Sequence, residues 1–191
     1  MFDVKKEDIL TIHNNKRKAV CYVATTKESW RPDASKFEKS IVGNKINGWD
    51  QEFWVDYRSD KLKLILLKRI QLAKTKNCDY LDFDNIDGHL NKTGFPLTAK
   101  DQKTFVSWLS METKKAGMGL GLKNSPETAK ALTSLVDFHV SEECTKYKEC
   151  HRYPSNTFFI EYMAVSKDVC KLRPYTLFAD LALKKFKFCS P

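Results

Sequence analysis

Three carboxylates, Asp82, Asp84 and Asp87, follow one another toward the end of the run Asp79-Tyr80-Leu81-Asp82-Phe83-Asp84-Asn85-Ile86-Asp87-Gly88, where a short apolar segment closes on a glycine. Tyr80, Leu81, Phe83 and Ile86 suit a pleated, buried strand, and Asn85 and Gly88 are loop formers that end it. In parallel α/β folds the carboxyl ends of the strands are where ligands and catalytic groups gather. An acidic turn or a helix cap accounts for the same residues, since Asp is common in both. The chemistry open to paired carboxylates facing a cleft is glycoside hydrolysis. One acid protonates the leaving oxygen, and the other acts as nucleophile or base.

The elements that must position these acids follow from the hydrophobic period. Short apolar runs alternate with amphipathic stretches of helical length, the βαβα pattern of a parallel sheet. Strands are expected at residues 19–24, 53–57, 80–83, 118–122, 138–140 and 158–162. A helix over 61–76 repeats Leu62, Ile65, Leu66, Ile70 and Ala73 behind an Asp60 cap. A second starts at Thr98, with Asp101 completing a capping box and Phe105, Trp108 and Leu109 on one face. A third opens as Ser125-Pro126-Glu127 and buries Ala131, Leu132 and Leu135.

If the strands are parallel and consecutive, their carboxyl ends share a rim, and each ends in polar chemistry. Tyr22 closes the first, Asp56 and Arg58 the second, and Asp82, Asp84 and Asp87 the third. Lys123 and Asn124 close the fourth, Glu142 and Glu143 the fifth, and Glu161 and Tyr162 the sixth. Singly, each has a structural explanation: Asp56 as a cap, Tyr22 as a core aromatic, Lys123 as a solvated charge, Glu161 as an ion-pair partner. Together they point to a ligand, because a buried rim of acids needs partners to offset desolvation. No Ser-His-Asp set, phosphate-cradling glycine loop or metal-ligand cluster competes, so neither metal nor cofactor is expected. His13, His89, His139 and His151 are scattered, as structural or surface residues are.

The chain of 191 residues, 42% hydrophobic, is long enough for one core and short for two, so residues 1–191 are expected to form a single domain. No run approaches the ~20 apolar residues that span a bilayer, and the opening Met1-Phe2-Asp3-Val4-Lys5-Lys6 lacks the apolar stretch of a signal peptide. A formal charge of +9 raises nucleic acid as a partner. The lysines are spread at solvent-facing helix spacing with no nucleic-acid signature, so no nucleic acid and no membrane is expected. Six cysteines show no Cys-x-x-Cys pair and no zinc-finger spacing. Cys144 with Cys150 and Cys170 with Cys189 are within reach for disulfides, and six reduced, buried thiols are the alternative.

The chain resembles glycoside hydrolase family 114, the endo-α-1,4-polygalactosaminidase family. The resemblance is carried by Cys21-Tyr22-Val23-Ala24, Trp30-Arg31-Pro32-Asp33, Gly48-Trp49, Trp54-Val55-Asp56-Tyr57-Arg58 and the Asp82 to Gly88 run. It continues through Thr93-Gly94-Phe95-Pro96-Leu97-Thr98, Asp101-Gln102, Gly121-Leu122-Lys123-Asn124, Glu142-Glu143-Cys144 with Cys150, and Glu161-Tyr162. It implies an α/β (β/α)8 TIM-type barrel, extracellular by habit of the family, that cleaves α-1,4-linked polysaccharide rich in galactosamine or N-acetylgalactosamine without a cofactor. It also implies Asp84 and Glu142 as the catalytic pair and a Cys144–Cys150 disulfide. Tyr22, Asp56, Asp82, Asp87, Lys123, Asn124 and Glu161 are then expected around the sugar, with Trp30 or Trp54 as stacking faces.

Departures from the family pattern are Ala24-Thr25-Thr26 in place of a Ser-Ala-Gly turn, Ser141 in place of Asn, and Asp82 where Glu is common. The tryptophan-rich first strand of the family has no counterpart, and the chain is expected to begin near the second strand, at residues 2–5, leaving the barrel incomplete at its N-terminus. An open sheet edge there would favour a second reading, a barrel remnant that binds carbohydrate without hydrolysing it. The sequon Asn91-Lys92-Thr93 matters only for an exported chain.

Overall fold

The computed structural model describes residues 1–162, 164–181 and 183–189. The chain forms two compact units, Met1–Gly121 and Leu122–Pro191. Among the described residues no helix is long and apolar enough to cross a membrane.

In the first unit, residues 2–5 form a turn at 2–3 and an irregular segment at 4–5 rather than the expected strand, and lead into α1 (Lys6–Asn14). The Asp8 carboxylate accepts from the Lys5 N–H at 2.9 Å and so satisfies a donor at the helix start. Strand β1 (Val20–Ala24) pairs in parallel with β5 (Tyr80–Asp84), with Tyr22 opposite Asp82 and Ala24 opposite Asp84. β6 (Gly119–Lys123) follows β5 in the strand order and runs across the boundary between the units. A disulfide joins Cys21 in β1 to Cys78 just before β5, a pairing absent from the sequence expectations.

The strand expected at 53–57 exists, but not in the parallel sheet. It is β4 (Glu52–Val55), the centre of a three-stranded antiparallel sheet with β2 (Lys27–Glu28) and β3 (Val42–Lys45), in the order β2-β4-β3. The direct β1–β5 ladder leaves no place for it between them, so Asp56 ends a different sheet from Asp82 and Asp84.

Helix α2 (Asp60–Thr75) buries Leu62, Ile65, Leu66, Ile70 and Ala73, the three- and four-residue spacing of one helical face. Its cap is Ser59, whose hydroxyl accepts from the Lys61 N–H, and Asp60 is the first helical residue. Helix α3 (Ala99–Lys115) begins with the expected capping box: Thr98 and Asp101 each accept from the other's backbone N–H. Its Phe105 stacks on Tyr57 at a centroid distance of 5.1 Å. Gly117, at φ +80°, turns the chain out of α3 in the left-handed region that glycine adopts without strain.

In the second unit the strand order is β6-β7-β8-β9-β10. β7 (Phe138–Glu142) and β8 (Thr157–Glu161) pair in parallel, with Glu142 opposite Ile160. β9 (Leu177–Ala179) continues parallel to β8, and β10 (Phe186–Phe188) returns antiparallel. The helix expected from Ser125 is reduced to one turn, α4 (Ala129–Leu132). Asn124 and Ser125 take φ +54° and +64°, which an N-cap in the extended region does not, so the helix starts late, Ala131 is exposed and Leu135 is only half-buried. Helix α5 (Lys167–Leu172) connects β8 to β9, capped by the Ser166 hydroxyl. Disulfides join Cys144 to Cys150 and Cys170 to Cys189, the second pairing tying α5 to the end of the chain.

Candidate active site

Alternation along β5 decides which acids share a face. Leu81 and Phe83 are fully buried on one side, which turns Asp82 and Asp84 to the other, beside Tyr22 of the paired strand. The Tyr22 phenol donates to Asp84 Oδ2 at 3.0 Å, and the Asn85 N–H donates to Asp84 Oδ1 at 2.8 Å. Burial, and then the neighbouring Asp84 carboxylate, push the Tyr22 phenol far above its ordinary range, so it acts as a neutral donor. Asp82 is 9% exposed and lies deeper than Asp84.

The departure at Ala24-Thr25-Thr26 has a structural use. Thr25 and Thr26 are fully buried, and the Thr25 hydroxyl reaches the Asp84 carbonyl at 2.8 Å and the Asn85 carbonyl at 3.1 Å. Asn85 itself sits at φ +61°, a conformation Asn tolerates better than most residues. Beneath this turn, Arg69 of α2 donates to the Ala24 carbonyl at 2.5 Å and holds Asp33 with two bonds at 2.7 and 2.9 Å. Arg69 is not among the expected site residues. The signal that could have found it is its position on the buried stripe of α2, between Leu66 and Ile70.

The remaining expected residues of the first unit differ in partners and exposure. Both Asp56 oxygens are engaged by Arg58, through Nε and Nη2 at 2.8 Å each, and this guanidinium holds the carboxyl below the usual carboxylate range. Asp87 accepts from the Asn91 side chain at 3.2 Å. Trp30 is half exposed, with the Arg31 guanidinium over its ring at 5.8 Å from the centroid, whereas Trp54, expected as an alternative stacking face, is buried at 8% exposure. Trp49, not expected at the site, is 55% exposed.

In the second unit Lys123, Asn124 and Glu142 come together. Lys123 Nζ lies 3.2 Å from Glu142 Oε1, and the Asn124 amide donates to Oε2 at 3.3 Å. The Asn124 carbonyl oxygen accepts in return from the Glu142 backbone N–H at 3.0 Å. Tyr162 completes the set, its phenol donating to Glu142 Oε1 at 2.5 Å. Two donors on one oxygen and a third on the other fix the carboxylate plane while leaving the side chain about one-fifth exposed.

Glu161, expected around the sugar, is buried. It is 1% exposed, and its carboxylate accepts from the Thr145 N–H at 2.9 Å and hydroxyl at 2.6 Å. Successive residues at a strand end face opposite ways, so Tyr162 and Glu161 cannot both serve the Glu142 side. Among the described residues, Cys144, Cys150 and Glu161 cluster closely enough to suggest metal ligands. With the two sulfurs joined in a disulfide there is no thiolate to offer a metal.

Comparison with known proteins identifies the family and the fold. The profile of glycoside-hydrolase family GH114 matches residues 1–187. The crystal structure of Aspergillus fumigatus Ega3 in complex with galactosamine is similar at TM-score 0.92 and 30% identity, covering 98% of this chain and 85% of that one. The glycoside hydrolase domain of PelA from Pseudomonas aeruginosa shares the fold at TM-score 0.69 and 12% identity, covering 95% of this chain and 85% of that one. Eubacterium rectale Amy13B shares it more distantly, at TM-score 0.55 and 11% identity, covering 81% of this chain and 42% of that one. No curated relative matches. With a family match over nearly its whole length and an α/β fold that ends its strands in bonded carboxylates, the chain belongs to glycoside hydrolase family 114 and is a glycoside hydrolase.

Proposed function

We propose that this protein hydrolyses galactosamine-containing polysaccharide from within the chain, at α-1,4 linkages, with Asp84 and Glu142 as its two reacting carboxylates. The observation that carries the reading is the similarity, at 30% identity over 98% of the chain, to a protein crystallised with galactosamine. The local geometry supports the choice of acids. Asp84 and Glu142 each end a parallel strand and each is oriented by a tyrosine hydroxyl, and both keep partial exposure. A carboxyl group in such a position can protonate the glycosidic oxygen, and its counterpart can attack the anomeric carbon or activate water there. A (β/α)8-type arrangement of the parallel strands belongs to the same reading, as does a location outside the reducing cytosol, which three disulfides favour.

Substrate charge bears on this function. A polymer with free amines is cationic and the protein carries +9, so net charge opposes encounter. Asp82, Asp84 and Asp87 supply a local negative field that acts at short range, where the partial exposure of Asp84 admits the sugar.

The test is release of reducing ends from an α-1,4-galactosamine polymer by the wild type and by Asp84→Asn and Glu142→Gln. Hydrolysis by the wild type with loss in both variants is expected, and full activity in either variant overturns the pair. Binding of oligosaccharide by the wild type without any release of ends would favour a carbohydrate-binding protein instead. Parallel assays on acetylated polymer assign the preferred form.

A further inference from the structure

We propose that Glu161 is a positioning residue for Glu142, acting through the Cys144–Cys150 loop and not by touching sugar. The proposal rests on the reading of Glu142 as one of the reacting carboxylates.

Glu161 is a carboxylate with 1% exposure at the end of β8, which leaves no surface on which a sugar amine could approach it. Burying an acid so fully requires compensating donors. Both bonds from Thr145, its N–H and its hydroxyl, enter the same oxygen, Oε1. The Thr145 hydroxyl has a single proton, which is committed to Glu161, and its lone pair accepts from Arg173 Nη2 at 2.6 Å. The result is a chain of donors running from a guanidinium through a hydroxyl to a buried carboxylate. Phe159 lies against the guanidinium, with the ring centroid 5.3 Å from Cζ.

The consequence for Glu142 is geometric. Thr145 follows it by three residues, and the intervening Cys144 is tied to Cys150. Within this loop the Glu149 N–H donates to the Cys144 carbonyl at 2.9 Å and the Tyr147 N–H to the Glu143 carbonyl at 3.1 Å. Glu143 takes φ +56° and its N–H donates to the Ile160 carbonyl at 2.8 Å. On the other side, the residue after Glu161 is Tyr162, which donates to Glu142 directly. Glu161 therefore anchors both approaches to the carboxylate: the loop that leaves β7 and the strand end that carries Tyr162.

Because a single oxygen accepts both bonds, Glu161→Gln can keep them while removing the charge, and Glu161→Ala removes both. The test compares kcat and KM on galactosamine polymer, with thermal unfolding as a control. Glu161→Gln is expected to lose no more than about threefold in kcat, and Glu161→Ala about tenfold or more with KM changed less than about threefold. Thr145→Val, which keeps the backbone N–H, should lower kcat, and Thr145→Ser should restore it, so the proposal remains testable if Glu161→Ala does not fold. The acidic or basic limb of the kcat profile that Glu142 sets should move in Glu161→Ala and Thr145→Val, which a purely structural role would not require. Wild-type kcat in both Glu161→Ala and Thr145→Val, or an equal fall in Glu161→Gln and Glu161→Ala with raised KM, overturns the proposal. Activity in Glu142→Gln would instead overturn the reading on which it rests.

Discussion

The Tyr22 phenol donates to Oδ2 of Asp84 at 3.0 Å, from a strand that pairs in parallel with the strand ending in that carboxylate. Parallel register puts Tyr22 opposite Asp82, two residues short of Asp84, so the phenol spans one pleat to reach it. A hydrogen bond to a charged group contributes about 1.5–3 kcal/mol, so Tyr22→Phe should lower kcat/KM by roughly ten- to a hundredfold with little change in melting temperature. Steady-state assays on galactosamine polymer check this, and unchanged kinetics would remove Tyr22 from the site.

Arg69 predicts a stability effect where Tyr22 predicts a kinetic one. Its side chain is 1% exposed, and Asp33, its bidentate partner, is 21% exposed. Removing one member of a buried pair leaves the other charge uncompensated, so Arg69→Met should cost about 3–5 kcal/mol in urea unfolding. The Ala24 carbonyl also loses its donor, and the turn beside Asp84 should loosen. A cost below about 1 kcal/mol would show that the pair is as weak as a surface ion pair.

His139 predicts an acid-sensitive stability. It is fully buried on β7, its Nδ1 has no hydrogen-bond partner among the described residues, and burial pushes the imidazole down to about 4. The unfolded chain takes up this proton near pH 6.5, and the folded chain does so only near 4, so stability should fall as pH drops through that window and level off below it. The full difference corresponds to a few kcal/mol, on the order of 1.4 kcal/mol per unit. Denaturant titrations at several pH values should show the slope in the wild type and a flatter one in His139→Leu; identical slopes would mean that other groups dominate.

The disulfides separate stability from activity. Cys21–Cys78 closes a loop with a sequence separation of 57, and Cys144–Cys150 one of 6. Chain entropy gives about 4 kcal/mol for the first and about 2.4 kcal/mol for the second. Cys21→Ala with Cys78→Ala should therefore lower the melting temperature more than Cys144→Ala with Cys150→Ala. The second double variant should reduce kcat more, because its loop leaves β7 directly after Glu142. The reverse order in both measurements would contradict the assignment of these roles.

The sequence by itself determined the βαβ alternation, the capping box of α3, the buried stripe of α2 and the candidates Tyr22, Asp84, Lys123, Asn124 and Glu142. These were legible because strand and helix periods and cap chemistry are local, readable within one or two turns of chain. Some readings failed where local signals are ambiguous. Ser125-Pro126-Glu127 looks like a helix start, but consecutive left-handed residues delay it, and residues 53–57 look like one more parallel strand but join a separate antiparallel sheet. Tertiary structure alone decided the pairings that span many residues: Cys21 with Cys78, Arg69 with Asp33, and Tyr162 rather than Glu161 with Glu142. The physical reason is that a strand end exposes alternate residues to opposite sides, and which side faces the chemistry depends on the register with neighbouring strands. The residue types at each strand end are written in the chain, and the hydrogen-bonded ladder chooses which of them reaches the carboxylates.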